Sequence, residues 1–193
     1  ALTQLIESYT SPTASPMTDT LAYTGIQCVK EALVRVCTDG ADDVEARGKM
    51  SYAALISGIT LANAGLGVVH AFGASLGGHF DIPHGVVCGA LLGPCTAANI
   101  RALQRESPDH PTLGKFACVG SLLSGNYSAD TSTACGLLVD AIDGLTNRLR
   151  IPRLSDYGIT PADVDRIVEA TTVKSNCAVL SRDQLAAIVR SQF

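Results

Sequence analysis

Charge is scarce in this chain. Of its 193 residues only 17% are Asp, Glu, Lys or Arg, and the net charge is −4. No basic block builds up anywhere, which excludes the electrostatic footprint of a nucleic-acid binder. A run of 18 apolar residues is also missing, and the first residues lack the charged-then-apolar order of a secretion signal. The expectation is a soluble, cytoplasmic protein with no nucleic-acid or membrane partner. Cys-x-x-Cys pairs are absent although seven cysteines are present, at 28, 37, 88, 95, 118, 135 and 177. An odd number without pairing motifs argues against a disulfide framework, and the cysteines read as small reduced core residues. Cys88 and Cys95 stand two helical turns apart, a spacing that by itself makes no metal site. Period-two strands, internal repeats and low-complexity tracts are missing as well. So is a strand followed by a glycine-rich phosphate cradle: Gly65-Leu66-Gly67 follows a helix, where it is a false dinucleotide signal.

What is present is apolar helix. Hydrophobic residues make up 47% of the chain, enough for one domain that removes about 70% of its unfolded surface from water. Ser15-Pro16 reads as an N-cap and first helical residue, and Ala22, Ile26, Val29, Leu33 and Val36 follow as one helix face. Asp39-Gly40 ends that helix, and Asp42-Asp43 opens another, along which Tyr52, Leu55, Ile56, Ile59 and Asn63 line one side, Asn63 being the polar exception on that face. Leu138, Ala141, Ile142, Leu145 and Leu149 mark a further amphipathic helix ending near Pro152. Thr160-Pro161 and the Ser181/Gln184 capping box start two more, with Val164, Ile167 and Val168, then Leu185, Ile188 and Val189, facing inward. Arg105–Pro111 reads as a surface connection with a solvated His110. The fold class is all-α.

Three of the four histidines fall in GLGVVHAFGASLGGHFDIPHGVVCGALL, residues 65–92. A glycine at 65 or 67 ends one helix at a left-handed position, a short helix carries His70, Gly77-Gly78 breaks it, and Pro83-His84-Gly85 opens the next. This arrangement can bring His70 and His84 together, and neutral imidazole is a common ligand for zinc and iron. Two histidines are nevertheless too few for an ordinary zinc site. His79 and Asp81 lie in the connecting loop, where polar side chains are ordinarily solvated.

That stretch closely resembles the long motif of the iron-containing (group III) alcohol dehydrogenases, roughly G-L-G-x-x-H-x-x-A-H-x-x-G-x-x-x-x-x-P-H-G-x-x-x-A-x-L-L-P. ALTQLIESYTSPTASPMTDTLA is similar to the same family's D-A-L-x-H-x-x-E-x-Y-x-S segment and its continuation, and NCAVLSRDQLAAIV to its ending. The resemblance implies the multi-helix C-terminal domain of the dehydroquinate synthase-like fold over residues 1–193. It implies a nucleotide-binding domain outside this chain, in keeping with a start that lacks methionine and reads as mid-helix. The implied activity is NAD(P)-dependent interconversion of a small-molecule alcohol with an aldehyde or ketone, with Fe2+ or Zn2+ as Lewis acid, in a cytoplasmic homodimer. This isolated chain is expected to be inactive.

Carried over residue by residue, the family's metal ligands fall immediately before Ala1 (an aspartate), on Gln4, on His70 and on His84. Gln4 replaces a histidine, and a glutamine carbonyl is a neutral, harder donor that suits iron or zinc less well. A further family histidine falls on Ala74, which cannot relay a proton. These departures leave two other readings: a metal-independent reductase similar to maleylacetate reductases, and a non-catalytic helical module for dimerisation or scaffolding. Asn63, Leu66 and Phe72 are expected around the substrate pocket.

Overall fold

Capping chemistry sets the helix boundaries in the computed structural model, which describes residues 1–193 as nine α-helices and two 3-10 turns, with no strand. Helix α1 is Leu2–Thr10. Helix α2 (Pro16–Cys37) begins with a reciprocal cap: the Thr18 N–H donates to Ser15 Oγ at 3.2 Å, and the Ser15 N–H donates to Thr18 Oγ1 at 2.8 Å. Asp43 caps α3 (Val44–Ala64) by accepting from the Ala46 N–H and is also paired with Arg35. Helices α4 (Val68–Gly77) and α5 (His84–Glu106) follow, then α6 (Pro111–Ser124) and α7 (Thr131–Arg148). After the turns Leu154–Tyr157 and Pro161–Asp163 come α8 (Val164–Ala170) and α9 (Arg182–Arg190), the latter opened by the expected Ser181/Gln184 box. His110 is not simply solvated. It caps α6, its Nδ1 accepting from the Thr112 N–H at 3.3 Å.

One continuous core of 38 buried residues draws on every helix except the surfaces they turn outward, with Leu5, Ile26, Phe72, Leu91, Phe116 and Leu138 fully enclosed. Its spine is α5, which contacts α1, α4, α6, α7 and α9. By length and composition α5 could cross a bilayer, but 72% of its most apolar window is buried within the domain. Its apolar character is that of a core helix.

The side of α3 marked by large apolar residues is only partly its packed side. Ala46, Ala53, Ile56, Ser57, Thr60 and Ala64 face the core, whereas Tyr52, Leu55 and Ile59 are 41%, 63% and 37% exposed. Asn63 is also on the outside. The helix is apolar on nearly every side, so periodicity does not identify the packed face. The closeness of α1 and α2 decides it, and small side chains fit that narrow space while large ones do not.

The last turn of α3 is where the fold changes direction. Helices α3 and α4 meet at 100°, across Gly65, whose φ of +69° is a conformation that glycine adopts without a side-chain penalty. The carbonyls left over at this helix end are satisfied from the α1 region: Thr13 Oγ1 donates to Ala64 O at 2.7 Å, Ser11 Oγ to the same oxygen, and Ser8 Oγ to Gly65 O at 3.2 Å.

All seven cysteines are free thiols. Burial pushes Cys95 up and Cys135 to about 11; Cys177 rises to about 12, again chiefly through burial. These three stay as thiols at pH 8. The expected outcome of alkylation at that pH, read by mass spectrometry, is rapid modification of exposed Cys37 and Cys118. Cys95, Cys135 and Cys177 should react only when denaturant unfolds the chain.

Candidate metal centre

Three helices meet around His70 and His84. His70 sits in the first turn of α4, and His84 is the first residue of α5, positioned by Pro83 at the N-cap. Their rings face each other at a centroid distance of 5.4 Å, tilted by 51°. Cys88 lies one turn beyond His84 on the same face of α5, its Sγ 3.4 Å from His84 Nε2. One ligand atom from each of His70, His84 and Cys88 falls within 4.8 Å of the others. The donor set of two imidazoles and a thiol fits a divalent ion of the zinc or iron kind.

The His70 ring is held by Glu7 of α1. Glu7 Oε2 stands 2.6 Å from His70 Nδ1, while Oε1 accepts the Val69 N–H at 2.7 Å. Both side chains are nearly closed off, 12% and 8% exposed. The start of α4 has no cap from its own N-cap residue, Gly67. Glu7 supplies one acceptor there, and Asn176 supplies another by accepting the Val68 N–H at 3.2 Å. A carboxylate at a helix N-terminus also meets the positive end of the helix dipole. Burial works to lower the His70 pKa, but the hydrogen bonds the ring makes to Cys88 and Glu7 outweigh it and push the pKa up to about 9. Fixing Nδ1 on a carboxylate directs Nε2 toward the cleft, an orientation common to metal-binding histidines.

Gly73 allows the second ring its place. A methyl group there would stand 2.7 Å from His84 Cε1 and 3.1 Å from its Nδ1. The backbone of α4 therefore forms the surface on which the His84 ring rests.

The two imidazoles and the thiol open on a cleft of about 440 Å³, within the range of small-molecule sites. Gln4 is on its polar wall; Val29, Leu33, Met50, Leu92, Leu145 and Leu149 supply apolar lining. Gln4 is engaged as well, its Oε1 accepting from Ser57 Oγ at 2.8 Å.

The other residues singled out in the sequence lie elsewhere. Phe72 is fully buried in the core, Asn63 is exposed and donates to Ile59 O, and Leu66 is half-buried in the turn after α3; none lines this cleft. His79 is exposed, with Nδ1 2.8 Å from Ser75 O at the end of α4, and Asp81 and Ala74 are exposed too. Two participants, Cys88 and Glu7, are not among the residues the sequence singles out. Cys88 read as a core residue although its four-residue step from His84 places it on the same helix face. Glu7 is three residues beyond Gln4, on the same side of α1, and an acid on a helix otherwise packed into the core was the available signal.

Two substitutions test this arrangement. Glu7→Gln keeps an acceptor for the Val69 N–H but removes the charge beside His70, and urea unfolding should register a loss of about 2 kcal/mol. Gly73→Ala should move the His84 ring signals in an NMR spectrum while helix content by circular dichroism stays unchanged.

Residues 1–193 match the sequence profile of the Fe-containing alcohol dehydrogenase family, C-terminal. Among curated relatives, 1,3-propanediol dehydrogenase of Klebsiella pneumoniae is 33% identical over 199 residues, covering 100% of this chain and 49% of its own length. Alcohol dehydrogenase 4 of Saccharomyces cerevisiae is 31% identical, with coverages of 100% and 48%. The crystal structure of a 1,3-propanediol oxidoreductase superposes with a TM-score of 0.89 at 32% identity, over 100% of this chain and 49% of the other. The chain spans about half the length of the relatives it matches. With its motifs, its helical architecture and this full-length match in agreement, the chain belongs to the iron-containing alcohol dehydrogenase family and has the fold of that family's C-terminal half.

Proposed function

We propose that this chain is the metal-side half of an NAD(P)-dependent oxidoreductase that interconverts a small-molecule alcohol with an aldehyde or ketone. The observation that carries the reading is the pair of imidazoles, 5.4 Å apart, on the wall of an otherwise apolar cleft. His70 and His84 would hold a divalent ion, Fe2+ or Zn2+, with Gln4 on the same wall. Such an ion supplies Lewis acidity toward a substrate oxygen. Glu7 keeps His70 Nδ1 occupied, so that one nitrogen only is free for the cleft. The apolar lining receives the hydrocarbon part of the substrate and keeps water from the reacting carbon, an environment that suits hydride transfer.

NAD(P) is assigned chiefly to a domain outside these 193 residues. That division agrees with the share of its relatives that the chain spans. The remaining parts of the proposal are a cytoplasmic setting and a homodimer, for which the outward Tyr52, Leu55 and Ile59 of α3 offer apolar surface.

A second reading, metal-independent reduction, draws on Gln4. It is a weaker donor than histidine, and its oxygen already accepts the Ser57 hydroxyl. The two readings part in one measurement on the natural full-length polypeptide. Alcohol-dependent reduction of NAD(P)+ should fall more than about 100-fold on chelation and equally on His84→Ala, since loss of a ligand exceeds the 10–100-fold cost of losing a group that merely orients one. Full turnover by metal-free protein would establish the second reading instead. The 193-residue chain alone should not oxidise NADH with an aldehyde, and turnover by it would overturn the assignment of the nucleotide to another domain.

A further inference from the structure

We propose that Cys88 is a direct metal ligand, making the centre a His70–His84–Cys88 site that favours Zn2+ over Fe2+. The inference rests on the reading of this cleft as a metal centre and goes beyond it by naming a donor and a preferred ion. Its basis is where the thiol stands. Cys88 follows His84 by one helical turn, its Sγ is 3.4 Å from His84 Nε2, and one donor atom from each of the three residues falls within 4.8 Å of the other two. Cys88 lines the cleft together with both histidines.

Each donor is already oriented. Glu7 fixes His70 from behind, the backbone at Gly73 supports the His84 ring, and the main chain of Cys88 is tied to α1 by the Thr3 hydroxyl, which donates to Cys88 O at 3.4 Å. Three protein ligands with a fourth position open to a cleft is the usual plan of catalytic zinc. On coordination the S–H bond is lost, an S–metal bond forms and the proton passes to solvent. The thiolate brings a negative charge and a soft sulfur. Gln4 brings neither, and its oxygen is already engaged with Ser57. Two imidazoles and one thiolate suit zinc, whereas carboxylate-rich sites suit harder ions.

The test is cobalt substitution of the natural full-length polypeptide that contains this chain, in a Cys37→Ser/Cys118→Ser background that removes the exposed thiols of this half. Co2+ should produce a near-ultraviolet thiolate-to-cobalt charge-transfer band together with visible d–d bands. Cys88→Ser should abolish the charge-transfer band, weaken Zn2+ binding by at least about 100-fold, and narrow the preference for Zn2+ over Fe2+. Cys88→Ala provides the same comparison if the serine variant is poorly folded, with circular dichroism as the control. Visible bands without a thiolate band, unchanged by either variant and lost in His84→Ala, would overturn the role of Cys88 and leave the metal centre standing. No cobalt binding by the full-length background polypeptide would overturn both.

Discussion

A single buried carboxylate carries much of this architecture. Glu7 projects from α1 to the start of α4, a helix that lacks a cap of its own, and there it satisfies a backbone donor and an imidazole together. A buried carboxyl group is costly unless its oxygens are occupied, so the arrangement holds only while α1, α4 and His70 remain in register. Asn176 completes the junction from the far end of the chain. It accepts from the Val68 N–H and exchanges hydrogen bonds with Asn99 of α5, the closer of the two being 2.6 Å. Residues separated by more than a hundred positions thus meet at the first turn of one short helix.

The same junction explains why α1 is retained in the core. Ser8, Ser11 and Thr13 answer the carbonyls left at the end of α3, and Lys115 reaches Tyr9 O and Asp19 from α6. The short α1 is therefore tied by polar contacts to four neighbours while Leu5 and Ile6 fill the apolar interior. Hydrophobic burial supplies the driving force for this packing, and the polar contacts specify one way of doing it.

Much of this was legible in the residues. Caps at Ser15, Asp43 and Ser181 announce their helices because the chemistry is local. The spacing of His70 and His84 around a glycine-broken turn points to their meeting, and the structure brings the rings together. Three things were not legible, each for a physical reason. The packed face of α3 is set by how close its neighbours come, which an all-round apolar helix does not encode. Phe72 lies two residues from His70, on the opposite side of α4, and which of the two sides meets the cleft depends on how α4 rolls against α5. Cys88 has the composition of a core residue, and only the position of a histidine from another helix makes its sulfur part of a donor set.

The contact between the His84 ring and the backbone at Gly73 couples two features usually considered apart. With no side chain between them, the separation of the α4 and α5 axes becomes the setting for the distance between the imidazoles. Phe72 and Leu76 on α4 and Val87 and Leu91 on α5 are core residues of those same two helices. A methylene added or removed among them acts as a spacer on the donor triangle, though none of the four supplies a donor atom. In this half of the fold, interior volume and the spacing of the two imidazoles are one adjustable length.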